Sequence, residues 1–162
     1  MAKIILGLDP GLADTGYGVI SVVGSKITCL TYGSIKTAAG QDLSTRLFDL
    51  QKSLDEIIKS FRPDVVGIEQ LFFNKNVTSA IAVGQARGVL LLTLRQNGLV
   101  AQDFTPSQVK QAVCAYGQAT KRQVQNMVKL TLKLKQIPKP DDAADALAVA
   151  LAAVNTSLWK KK

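Results

Sequence analysis

The chain has 162 residues, 47% of them hydrophobic, enough to build the core of one domain without disulfides or a structural metal. Twenty Lys and Arg against twelve Asp and Glu leave a net charge of +8, which suits a polyanionic partner such as nucleic acid. Histidine is absent, which excludes Ser-His-Asp and Cys-His catalysis, HExxH zinc sites and any histidine general base. Any chemistry must come from carboxylates, Lys, Ser, Thr, Tyr, Cys or a metal.

In chain order, Lys3–Leu8 is almost continuously apolar and reads as a strand buried on both faces, with Asp9 and Pro10 stopping it. That run is far too short for a signal-peptide core or a membrane span, as are the apolar stretches near Val89–Leu94 and Ala146–Val154, so a soluble cytoplasmic protein is expected. Gly11 to Gly18 supplies turn residues, and Tyr17–Val23 and Ile27–Thr37 follow as strands, completing an antiparallel meander. Leu43, Leu47, Leu50, Leu54, Ile57 and Ile58 recur at helical spacing until Arg62-Pro63 ends the helix.

Asp64–Glu69 is another buried strand with Glu69 near its C-terminal end, and Val77–Leu94 is a helix with small residues Gly84, Ala86 and Gly88 along it. The apolar width of that helix exceeds what one small sheet needs, which marks it as a dimer face. A short strand, Val100–Phe104, a short helix, Pro106–Val113, and an amphipathic helix, Arg122–Leu134, come next. Pro138 and Pro140 break the chain before a nearly all-apolar helix, Asp141–Ala153. Meander strands followed by alternating helices and strands imply an α/β fold with a mixed sheet. No linker divides it, so residues 1–157 form one domain and 158–162 a short basic tail. Cys29 and Cys114 lack zinc-ligand or CxxC spacing and read as reduced thiols.

The acids stand where a core should be. Asp9 and Glu69 end buried strands, and Asp142 and Asp145, at i and i+3, share one face of the last helix. Ordinary roles exist for most of them: Asp9 as a turn residue before Pro-Gly, Glu69 as a solvated strand end, Asp141 and Asp142 as helix caps. Asp145 lies inside an apolar face where capping requires nothing. If the strands are neighbours and the last helix packs on them, these carboxylates converge and repel. Oxygen-only ligands favour Mg²⁺ or Mn²⁺ over zinc, and carboxylate-bound ions suit phosphodiester cleavage. A basic chain with such a site points to a metal-dependent nuclease.

At these residues the sequence resembles the bacterial RuvC family, crossover junction endodeoxyribonucleases that resolve Holliday junctions. The resemblance runs through Ile5-Leu6-Gly7-Leu8-Asp9-Pro10-Gly11, Thr15-Gly16-Tyr17-Gly18 and Ile68-Glu69-Gln70-Leu71-Phe72-Phe73. It continues through Lys75-Asn76, Ser79-Ala80, Gly84-Gln85-Ala86-Arg87-Gly88 and Pro140-Asp141-Asp142-Ala143-Ala144-Asp145-Ala146-Leu147-Ala148, covering nearly the whole chain.

It implies an RNase H-like fold, a five-stranded mixed sheet flanked by helices, acting as a homodimer. It implies Asp9, Glu69, Asp142 and Asp145 as catalytic, metal-binding carboxylates for Mg²⁺, with Mn²⁺ as a substitute and one or two ions per subunit. Asp141 becomes a cap or an outer charge, although Asp141 and Asp145 would also share a face. The resemblance further implies DNA contacts by Phe72, Lys110 and Lys121, with Phe72 stacking at the branch point. The expected partners are a four-way DNA junction, a second copy of the chain and the RuvA-RuvB branch-migration complex, with no membrane. Asn74 and Ala115-Tyr116-Gly117 depart from the expected pattern. Two other classes compete: a non-cleaving nucleic-acid-binding module, which has no use for clustered acids, and an actin-like ATPase, which needs a second domain.

Overall fold

The computed structural model describes residues 2–70 and 77–159, with side chains throughout except those of 77–79 and 155–159. Strands β1 (Lys3–Asp9), β2 (Asp14–Val23) and β3 (Lys26–Lys36) form the expected meander. Helix α1 (Leu43–Phe61), β4 (Val65–Glu69), α2 (Val77–Gln96), β5 (Ala101–Phe104), α3 (Pro106–Cys114), α4 (Lys121–Thr131) and α5 (Asp141–Trp159) follow. The sheet order is β3-β2-β1-β4-β5, antiparallel across the meander and parallel from β1 through β5.

The alternation of a strand assigns its side chains to two cores. Leu6 and Leu8 of β1 join Val66 and Ile68 of β4 under α1 and α2, where Leu50, Leu54, Ala86, Leu90 and Leu94 are buried. Ile5 and Ile20 face the other way, into a core built with α3, α4 and α5. Helix α5 is the pillar of that second core: from Ala146 to Ala150 every residue is at most 1% exposed. A helix apolar on all sides belongs inside, and this one lies across β1, β2 and β4.

Glycines let α5 come that close. A Cβ on Gly7 would sit 2.1 Å from the Ala146 carbonyl oxygen, and one on Gly16 would sit 2.0 Å from that of Asp142. This corrects the reading of Gly11 to Gly18 as a turn. Asp14, Thr15 and Gly16 already pair with Lys36, Ile35 and Ser34, so only residues 10–13 turn. Fully buried Thr15 holds that turn by donating from its hydroxyl to the Gly11 carbonyl at 2.5 Å.

Several ends also shift. Helix α4 starts at Lys121 rather than Arg122, because Thr120 caps it in a reciprocal box with Gln123. It stops at Thr131, short of Leu134, and Lys133 turns the chain at φ 52°. Val100, 70% exposed, lies outside β5, and α5 continues past Ala153 to Trp159. Ala115 closes α3 at φ 55°, a left-handed conformation that glycine adopts more easily.

Candidate active site

The two-residue period of a strand decides where the acids point. Asp9 has the parity of Ile5 and Gly7, and Glu69 has that of Gly67, so both face α5. Strands β1 and β4 are parallel neighbours paired Gly7 to Gly67 and Leu8 to Ile68, which brings Asp9 and Glu69 to the same sheet edge. Helix α5 crosses that edge with its first turns, adding Asp142 and Asp145. The chain leaving Glu69 is pinned to β5 by the Gln70 amide, which donates to the Phe104 carbonyl at 2.8 Å.

The electrostatics show that these groups share one site. Burial, then the charges of Glu69, Asp145 and Asp142, push the Asp9 carboxyl up to about 8, with Lys121 opposing. Glu69 is pushed up to about 7 by burial and by Asp145, against Lys121 and Lys110. Burial also raises Asp145, and hydrogen bonding to Lys121 holds the rise back. Asp141 behaves differently. It is about half exposed, and its hydrogen bond from Lys139 and the nearby Lys121 charge keep it below the usual carboxylate range. The charge of Asp142 acts on Asp9, whereas Asp141 binds Lys139 and Lys121 and its charge is not among those acting on Asp9.

Lys121 is the residue whose place in this cluster no sequence spacing revealed. Its Nζ lies 3.0 Å from Asp145 Oδ2 and 3.5 Å from Asp141 Oδ2. Beside it a cleft of about 170 Å³ is lined by Glu69, Lys110, Lys121 and Asp145 over an apolar floor of Pro106, Val109, Val124 and Ala148. Phe72 lies outside the described residues, as do Asn74 and the tail lysines Lys160–Lys162. Cys29 and Cys114 are free thiols, both raised by burial.

A divalent cation suits this donor set. The cluster is all carboxylate oxygen, and Asp9 and Glu69 hold protons to near neutral pH because each buries charge beside like charge. Among the described residues no three acids converge tightly enough to surround an ion unaided. The position beside Asp145 is taken by an ammonium.

The comparisons agree with this geometry. A family model described as "Crossover junction endodeoxyribonuclease RuvC" matches residues 5–153. The chain belongs to the RuvC family. A curated relative of that name from Heliobacterium modesticaldum is 51% identical over 156 residues, 96% of each chain. One from Clostridioides difficile is 50% identical over 98% of this chain and 94% of its own. Among solved structures, Thermus thermophilus RuvC in complex with a Holliday junction substrate superimposes with a TM-score of 0.93 at 33% identity, over 98% of this chain and 96% of that one. The sheet order and flanking helices are therefore those of the RNase H-like fold of RuvC. No described helix is long and apolar enough to cross a membrane.

Proposed function

We propose that this RuvC-family chain is a structure-selective endonuclease that resolves four-way DNA junctions by paired symmetric nicks, leaving 5′-phosphate and 3′-hydroxyl ends, in recombination and repair in the cytoplasm. The observation that carries this reading is the meeting of Asp9, Glu69, Asp142 and Asp145 at one sheet edge, beside Lys121 and Lys110. A pure binding module would not turn a nest of acids toward phosphate. Asp9, Glu69, Asp142 and Asp145 would hold Mg²⁺, or Mn²⁺ in its place, as one or two ions per subunit. A bound divalent cation supplies charge neutralisation and an acidified water for attack on phosphorus.

The chain's own residues do the rest. Asp9 and Glu69, protonated near neutral pH while the site is cation-free, give up their protons to become ligands. Lys110 and Lys121, on the rim of the cleft, attract and orient the phosphate backbone. Phe72 stacks against bases at the branch point, where they must part for the strand to reach the acids. A second copy, packed through α2, presents the same site to the strand of like polarity, and the RuvA-RuvB complex delivers the junction.

The test is a synthetic four-way junction incubated with Mg²⁺, with cuts mapped on all four strands against duplex and single-strand controls. Paired cuts near the branch point in two strands of like polarity, lost in Asp145→Asn, are expected. Equal cutting of linear duplex, or binding without cutting, overturns the reading.

A further inference from the structure

Lys121 is poorly placed by the rules of helix electrostatics. It is the first residue of α4, behind the Thr120 cap, where the helix dipole disfavours a cation. No acidic residue lies in the first turn of α4 to offset it. Compensation comes from another element: Asp145 and Asp141 of α5 both reach its Nζ, at 3.0 and 3.5 Å. Lys121 and its neighbour Arg122 are both exposed, but only Lys121 lines the cleft beside Glu69. Its charge also acts on Asp9 and Glu69, so it serves both strand-end acids as well as the helix. Lys110, the other lysine of the cleft, acts on Glu69 without an ion pair to Asp145 among the described residues.

We propose that Lys121 is an internal stand-in for the cation: its ammonium neutralises the carboxylate cluster while no metal is bound, competes with the metal for Asp145, and is set free toward the DNA phosphate when the metal takes its place. This rests on the proposed metal centre and adds a positioning role within it. An ammonium 3.0 Å from a ligand oxygen and a divalent cation on that same oxygen repel each other. Lys121 must therefore leave Asp145 for the ion to settle. The arrangement keeps the acids apart and folded without metal, and links metal entry to the release of a phosphate-binding charge.

The test is metal binding without DNA. Mn²⁺ is titrated into the full chain at low ionic strength and the free-ion signal followed by electron paramagnetic resonance, in the wild type, Lys121→Gln, Lys121→Ala, Lys121→Arg and Lys139→Gln. Circular dichroism checks that each is folded. Removing the competing charge should tighten Mn²⁺ binding about three- to tenfold in Lys121→Gln and Lys121→Ala, as expected for losing a partly exposed ion pair and its repulsion. Lys121→Arg retains the charge and Lys139→Gln changes only the outer partner of Asp141, so both should bind as the wild type does. Unchanged or weaker binding in Lys121→Gln overturns the inference while the metal centre stands, and so does equal tightening in Lys139→Gln or Lys121→Arg. Binding of no Mn²⁺ by any variant removes the metal centre itself and the inference with it.

Discussion

At the scale of single residues, the decisive feature is a set of carboxyls that are costly to ionise. Asp9 is pushed up to about 8 and Glu69 to about 7, burial being the larger cause in each. The native state therefore holds protons that the unfolded chain has lost, so without metal its stability falls as pH rises from the unfolded value, about 4, through about 8. Asp9→Asn should melt higher than the wild type in chelator by a margin that widens from pH 5 to pH 8, by about 2–8 °C over that range, on the order of 1–2 kcal/mol. The same substitution should abolish junction cleavage while binding persists. Glu69→Gln, Asp142→Asn and Asp145→Asn should behave alike in cleavage, and Asp141→Asn should still cut, because Asp141 is tied to Lys139 and Lys121 and its charge is not among those acting on Asp9 or Glu69. A wild-type melting temperature that rises between pH 5 and 8 in chelator would contradict the burial argument. Normal cutting by Asp142→Asn with none by Asp141→Asn would move the site by one helix position.

At the scale of elements, the site depends on how closely α5 lies on the sheet. A Cβ on Gly7 meets the Ala146 carbonyl and, at 2.5 Å, the Ala150 nitrogen, both backbone atoms that cannot yield alone. Gly7→Ala should therefore cost about 1–3 kcal/mol and lower cleavage further by lifting Asp142 and Asp145 from Asp9. Gly40→Ala, whose Cβ meets nothing within 4 Å, should stay within about 0.5 kcal/mol. Equal melting of the two variants would show that the contact is not tight. These glycines also mark the limit of sequence reading. The apolar run before Asp9 and the helical spacing of Leu43 to Ile58 are local signals, and their elements form where expected. Gly16 and Gly18 look like turn residues locally, but the partners that require them are Asp142 and Leu147, far along the chain. Lys121 is hidden for the same reason. Its helix was expected to start one residue later, at Arg122, and its ion pair with Asp145 exists only after α4 and α5 meet.

At the scale of the whole molecule, one chain brings together one such cluster of acids among the described residues, and a four-way junction needs two strands cut. A two-fold pair of chains would supply both sites by symmetry, through one surface used twice. Helix α2 is suited to that surface. One side of it, Ala86, Leu90 and Leu94, is buried in its own chain. Another carries Ile81 and Leu92, each 57% exposed, with Gly88 between them open to close approach. These three positions fall along one stripe at helical spacing, and 20 residues of helix span about 30 Å, long enough for a standard interface. Leu92→Glu should keep the wild-type circular dichroism, since the side chain leaves no core, yet sediment as a monomer at micromolar concentration. The functional readout is a supercoiled plasmid carrying an extruded cruciform. Paired cuts by a dimer convert it to linear DNA, whereas uncoupled cuts by single chains leave nicked circles. Leu92→Glu should shift the product from linear to nicked, and Lys52→Glu, a charge reversal on α1, should not. A Leu92→Glu protein that remains a dimer and linearises the plasmid places the pairing surface elsewhere on the molecule.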